Sequence, residues 1–186
     1  MNQQLAIKNL MTIFRFFPVE KIQTYKNQHI IVLNPHILRD MMVLLKYHIN
    51  FQFNILTCIS GSDYPSKKYR FKLVYELLSL RYNTRVQVKI HIHELMHVTS
   101  CESVFSTAEW YECEIWDLFG VFFSSHPNLK RIMTDYGFEG YPLRKDFPLS
   151  GFVETKYNEV QKRVINESVE FSQEYRTFAF LSPWNS

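Results

Sequence analysis

Thr84-Arg85-Val86-Gln87-Val88-Lys89-Ile90-His91-Ile92 decides the fold. Val86, Val88, Ile90 and Ile92 fall on one face, and Gln87, Lys89 and His91 on the other. That period of two is the mark of a strand with one face on a core. Arg81-Tyr82-Asn83 reads as a hairpin turn leading back to another strand, Tyr69 to Leu80, rich in aromatic and aliphatic side chains. A third run, Phe51 to Ser60, ends at Gly61-Ser62-Asp63, which reads as a turn.

Working toward the N-terminus, Asn34-Pro35 is a helix start, with Asn as cap and Pro at the first helical position. The helix is expected to run to about His48, burying Ile37, Leu38, Met41, Leu44 and Leu45. Ile22 to Leu33 reads as two short strands around Lys26-Asn27-Gln28. Leu5 to Phe17 places Ile7, Leu10, Met11 and Phe14 on one helical face and stops at Pro18. It reads as a first helix docked on a sheet. It lacks the small-residue cleavage site of a secretory signal, and it is far short of the roughly 20 apolar residues that span a bilayer.

The order is thus helix, two strands, helix, three strands. This predicts an α+β fold with two helices packed on a mixed sheet of about five strands. Thr107 to Phe119 reads as a further helix, capped by Ser106 or Thr107 and closed by Gly120. Beyond Gly120 the periodicity fades among Pro127, Gly137, Gly140, Pro142, Pro148 and Gly151. The division expected is an α+β domain over 1–120 and an extended C-terminal docking tail over 121–186. An irregular run of that length is easiest to understand if another chain covers it.

The 186 residues carry a net charge of +3, too small to require a nucleic acid or an anionic membrane as partner. Cys58, Cys101 and Cys113 are odd in number and scattered, which argues against a disulfide framework. They also fall short of the four close thiolates of an iron–sulfur cluster.

His93-Glu94-Leu95-Met96-His97 matches the His-Glu-x-x-His pattern of a zinc peptidase. On a helix its two histidines lie one turn apart. Here an alternating strand runs straight into His93, no cap precedes it, and Ser100 and Ser103 stand where a metzincin has Gly and His. A strand end with exposed histidines is the preferred reading, and zinc peptidase activity is the alternative.

The helix over 107–119 carries Glu109, Glu112, Glu114 and Asp117 beside an apolar stripe of Tyr111, Ile115 and Leu118. Paired carboxylates suggest acid–base or di-metal chemistry, but the helix has no Glu-x-x-His pair. Two charged edges meeting basic partners is the simpler reading. Arg144-Lys145-Asp146, between Pro142 and Pro148 and among Leu143, Phe147 and Leu149, reads as a strip that docks on a partner.

Three stretches now carry a resemblance: Trp110-Tyr111-Glu112-Cys113-Glu114-Ile115-Trp116-Asp117-Leu118-Phe119-Gly120, His126-Pro127-Asn128-Leu129-Lys130-Arg131-Ile132-Met133-Thr134-Asp135-Tyr136-Gly137-Phe138, and Gly140-Tyr141-Pro142-Leu143-Arg144-Lys145-Asp146-Phe147-Pro148-Leu149. With Leu77 to Asn83, they resemble the 30-kDa subunit family of respiratory complex I, the proton-pumping NADH:ubiquinone oxidoreductase, in its short mitochondrially encoded form. Cys113 stands where that family has Arg, Lys130 replaces an Arg, and Tyr141 replaces a His. The resemblance implies a non-catalytic subunit of the matrix arm at the mitochondrial inner membrane, packed against the 49-kDa quinone-site subunit. It implies no cofactor in this chain, with FMN and iron–sulfur clusters held by other subunits. The residues expected to dock on partners are Glu112, Glu114, Asp117, His126, Arg131, Asp135, Arg144, Lys145 and Asp146.

Overall fold

Strand alternation organises the structure as the sequence leads one to expect. The computed structural model describes residues 17–25, 28–174, 176 and 178. The helix expected over Leu5–Phe17 lies outside the described residues except for Phe17, as does the Lys26-Asn27 part of the first turn. In chain order the elements are β1 (Val19–Tyr25), β2 (Gln28–Leu33), a 3-10 turn (Pro35–Ile37), α1 (Leu38–Tyr47), β3 (Ile55–Asp63), β4 (Phe71–Ser79), β5 (Thr84–Ile92), β6 (Val98–Thr99), α2 (Ala108–Phe119), β7 (Phe123–Ser124), β8 (Val153–Asn158) and β9 (Arg163–Ser168).

The main sheet has the order β1-β2-β5-β4-β3. β2 and β5 run parallel, and the other neighbours are antiparallel. The sheet is therefore mixed, and with α1 and α2 the fold is α+β. The alternation of β5 buries Val86, Val88, Ile90 and Ile92 as expected, beside Phe71, Leu73, Tyr75 and Leu77 of β4. Met41, Met42 and Leu45 of α1 join the same cluster. Asn34 accepts the His36 N–H at 3.2 Å, but the first turn after it is 3-10, and the α-helix begins at Leu38.

Gly61-Ser62-Asp63 is not a turn, because β3 continues through it, paired with Phe71 to Leu73 of β4. Gly61 serves a close approach: a Cβ there would lie 2.7 Å from the Phe119 ring of α2. Tyr111 secures the same packing by donating its hydroxyl to the Thr57 carbonyl at 3.0 Å. Gly61→Ala is expected to force the ring aside and cost about 1–3 kcal/mol. Thermal denaturation checks this, and an unchanged melting temperature contradicts it.

The helix expected over 107–119 forms as α2. Gly120 closes it in the left-handed region at φ 78°, its N–H donating to the Trp116 carbonyl at 2.9 Å. Thr107 makes no side-chain cap. Its hydroxyl points instead to the Leu56 carbonyl at 3.5 Å.

The first compact unit ends at Phe147, not near residue 120. β7 pairs in parallel with β6, which ties the chain after α2 back into this unit. The second unit begins at Pro148. It contains the antiparallel hairpin β8–β9, with Lys156 and Glu167 in an ion pair and the Asn158 side chain accepting the N–H groups of Val160 and Gln161. The tail expected to be extended therefore contains a regular hairpin.

Candidate docking surface

α2 buries far more than a narrow apolar stripe. Ala108, Glu112, Cys113, Ile115, Asp117 and Phe119 are all buried, while Tyr111 and Leu118 are only partly so. Glu112 and Asp117 are fully inside, so neither presents a surface to a partner. Each carboxylate instead organises a loop of its own chain.

Asp117 gathers residues 131–134. Its Oδ2 accepts the N–H groups of Ile132, Met133 and Thr134 at 3.1, 2.7 and 2.9 Å. Its Oδ1 accepts the Thr134 hydroxyl at 2.6 Å and Arg131 Nη1 at 3.1 Å. Arg131 continues to the Gly140 carbonyl at 3.1 Å and lies 5.8 Å from the Trp116 ring centroid and 5.2 Å from that of Tyr141. Burial pushes the Asp117 carboxyl up, but the Thr134 hydroxyl and the three N–H groups outweigh it and hold it below the usual range. Arg131 supplies the balancing charge, so Cys113 in place of an Arg does not leave Asp117 without a cation.

Glu112 ties α2 to the loop after β6. Oε2 accepts the Ser100 hydroxyl at 2.6 Å and Oε1 the Cys101 N–H at 2.8 Å. His126 is packed into the same region with its side chain fully buried, Nε2 3.9 Å from Glu112 Oε2. Its Nδ1 accepts the Asn128 N–H at 3.2 Å, which leaves the proton on Nε2, 3.2 Å from the Glu109 carbonyl. Cys113 is buried beside it, its thiol donating to the Asn128 carbonyl at 3.5 Å.

Burial pushes the Glu112 carboxyl up to about 7, against the two hydrogen bonds, and the charge of Glu102 adds to the rise. The folded value lies above the unfolded one. Its stabilisation is therefore complete below the unfolded value and is lost as pH rises through about 7. Glu112→Gln keeps the shape and removes the titration. Between pH 5 and 8 the parent chain is expected to lose about 2–3 kcal/mol more than Glu112→Gln. Urea denaturation at both pH values measures this, and equal losses contradict it.

A second cluster fastens residues 141–147. Arg70 donates to Asp63 at 2.8 and 3.0 Å and to Asp146 at 2.8 Å. Asp63 also accepts the Lys145 N–H at 2.8 Å. Arg144 donates to the Phe119 carbonyl at 2.7 Å and to Glu94 at 2.5 Å, and stacks 4.5 Å over Tyr141. Arg144 and Tyr141 both lie against Gly120, so the space beside that glycine is filled. The Arg70 hydrogen bond is the main cause holding Asp63, and likewise Asp146, below the usual carboxylate range.

Of the nine residues expected to dock, Glu112, Asp117 and the His126 side chain are enclosed, and Arg131 and Arg144 are largely enclosed. Asp135, Lys145 and Asp146 are exposed, and Glu114 is half-buried. Asp135 accepts the Tyr136 N–H at 2.8 Å. Leu143, read from the sequence as part of the docking strip, is half exposed, and the sequence reading missed the other apolar side chains that face outward, Trp110, Phe122, Met133 and Tyr136, all more than half exposed. Tyr136 beside the glycine turn at Gly137 was the available signal.

The His93–His97 segment does not form the helix that zinc peptidase chemistry needs. It is a turn between β5 and β6, with Glu94 engaged by Arg144 and Arg70. Among the described residues no group of His, Cys, Asp and Glu is placed to hold a metal ion.

Residues 31–153 match the family described as the respiratory-chain NADH dehydrogenase 30 Kd subunit. The chain belongs to this family. It is 48% identical over 176 residues to the NADH-ubiquinone oxidoreductase subunit 9 of Reclinomonas americana, covering 94% of this chain and 86% of the relative. It is 50% identical over 184 residues to the NADH dehydrogenase [ubiquinone] iron-sulfur protein 3 of Marchantia polymorpha, covering 99% of this chain and 94% of the relative. A chain in the solved structure of an archaeal membrane-bound sulfane sulfur reductase shares the fold at TM-score 0.69 and 22% identity, covering 92% of this chain and 99% of that one.

The words iron-sulfur belong to that relative's name, and the donor set of this 30-kDa family member does not suit such a group. Its cysteines lie on β3, in the loop after β6 and in α2. Burial pushes the Cys101 thiol well above its ordinary range, with the Glu112 charge adding to it, which opposes a ligating thiolate.

Proposed function

We propose that this chain is a non-catalytic scaffold subunit of a proton-pumping NADH:ubiquinone oxidoreductase. It sits in the matrix arm at the mitochondrial inner membrane and packs against the 49-kDa quinone-site subunit. FMN and the iron–sulfur clusters are carried by other subunits, and this chain holds none. Membership of the 30-kDa subunit family supports the complex assigned.

One observation carries the scaffold role. Charged side chains latch residues 131–134 and 141–147 from within, and Met133, Tyr136 and Leu143 are left exposed on or between these latched segments. Aromatic residues and Met are favoured in interfaces, and an anchored backbone lowers the cost of ordering them on binding. Rigid positioning is the contribution such a subunit makes to an electron path whose redox groups lie in its neighbours. No helix among the described residues is long and apolar enough to cross a membrane, which is compatible with a peripheral position.

Affinity capture of the tagged chain followed by native electrophoresis tests this. The chain is expected to migrate with NADH-oxidising activity and with the 49-kDa subunit. Migration alone, away from that activity, contradicts the assignment.

A further inference from the structure

The main sheet has a second face, opposite the core, whose cations have no use in the latch. Lys72 of β4 stands directly opposite His91 of β5, and Lys89 lies one same-face position further along β5. In register, Lys21, Val32, Lys89 and Val74 cross four strands in one row. Lys67 is exposed in the loop before β4, its ammonium 4.6 Å over the Tyr64 ring. Among the described residues, none of Lys67, Lys72, Lys89 and His91 is in an ion pair.

The arrangement works against the chain's own stability, since Lys72 and Lys89 are diagonal same-face neighbours on adjacent strands, within reach of two long cationic side chains that repel. Burial and then the charge of Lys72 lower the pKa of both Lys89 and His91. The carboxylates facing the cluster are Glu20 and Glu76, and the Glu76 carboxylate already accepts Gln87 Nε2 at 2.5 Å. Beside the cations the face is aliphatic, with Ile30, Val32, Val74 and Leu78 buried or half-buried.

We infer that this cationic end of the sheet, centred on Lys72 and Lys89 beside the His91 imidazole, receives an acidic helix of a neighbouring protein chain. The inference rests on the scaffold reading above. Cross-strand neighbours lie about 5 Å apart and diagonal ones about 7 Å. Carboxylates at positions i and i+4 of a helix are spaced about 6 Å apart, which matches. The aliphatic row then meets the helix's apolar stripe. The chain's own first sixteen residues do not supply the anions: they contain Lys8 and Arg15 and no Asp or Glu.

Zero-length carbodiimide coupling in the intact complex, read by peptide mass spectrometry, tests this. Lys72 or Lys89 is expected to form an amide with an Asp or Glu of another chain, and both are expected to resist acetylation until the complex is dissociated. Coupling only to Glu20 or Glu76, or free acetylation in the assembled complex, overturns it. So does protection that delipidation abolishes, which points to lipid phosphates. The full chain carrying Lys72→Glu and Lys89→Glu is expected to melt as the parent does but to leave the complex at several-fold lower salt. Release at the parent's salt concentration overturns the inference. A chain that never co-migrates with the complex overturns the scaffold reading as well, whereas a co-migrating chain with free lysines overturns this inference alone.

Discussion

Asp117→Ala is expected to melt about 10–15 °C below the parent chain. The substitution removes a buried carboxylate that accepts three backbone N–H groups, a hydroxyl and a guanidinium. Those donors have no replacement acceptor, and Arg131 is left partly enclosed without its counter-charge. Breaking a buried pair by removing one partner costs about 3–5 kcal/mol. For a chain of this size each kcal/mol moves the melting temperature by about 2–4 °C. Because the folded pKa of Asp117 is depressed, its contribution is present above the unfolded value near 3.8 and is lost as pH falls through the folded one. The gap between Asp117→Asn and the parent should therefore narrow in acid. Thermal scans at pH 7 and pH 3 measure both effects, and a variant that melts with the parent at pH 7 contradicts the role given to Asp117.

Arg144→Glu should act through the other clamp. The parent guanidinium joins the Phe119 carbonyl at the end of α2 to Glu94 in the turn after β5, and covers Tyr141. A carboxylate there faces Glu94 directly and leaves the Phe119 carbonyl without its donor. A cost of about 3 kcal/mol is expected, within the range for a disrupted, partly buried charge network. Residues 141–147 are expected to loosen, so assembly into the complex should fall several-fold. Any complex that does assemble should keep its redox signals, because the Arg144 guanidinium is engaged by Phe119, Glu94 and Tyr141 of its own chain. Native electrophoresis with spectroscopy of the assembled fraction separates the two outcomes. Normal assembly with a lost cluster signal contradicts the account.

These two clamps explain what the sequence made legible and what it hid. β4 and β5 were readable because each buries one face, so burial follows the period of two. Asn34-Pro35 and Gly120 were readable because caps act locally. Gly61 was misread because a glycine that admits a ring from a helix nearly sixty residues away looks, in sequence, like a glycine that turns the chain. β8 and β9 gave no signal because most of their side chains are exposed on both faces, leaving no apolar alternation to detect.

The docking residues were half legible for a related reason. Their clustering marked the right segment. Charge was taken as outward-facing, yet whether a carboxylate on α2 is buried depends on donors supplied elsewhere. Ser100 and Cys101 supply them for Glu112, and residues 132–134 for Asp117. Helical spacing carries no record of those loops. With Glu112 and Asp117 inside, the exposed Met133, Tyr136 and Leu143 are the groups proposed to meet a partner.

The central claim is that the signature segment is latched by its own charges and meets its partner through apolar side chains. The most direct test is assembly of the chain carrying Met133→Asp and Tyr136→Asp, read by native electrophoresis beside its melting curve. The account predicts a melting temperature within about 2 °C of the parent, together with at least a tenfold loss of assembled complex: only the backbone N–H of Met133 serves the Asp117 clamp, both side chains are exposed, and substitutions of exposed side chains usually change stability by no more than about 0.5 kcal/mol. Parent-like assembly of this variant would contradict it.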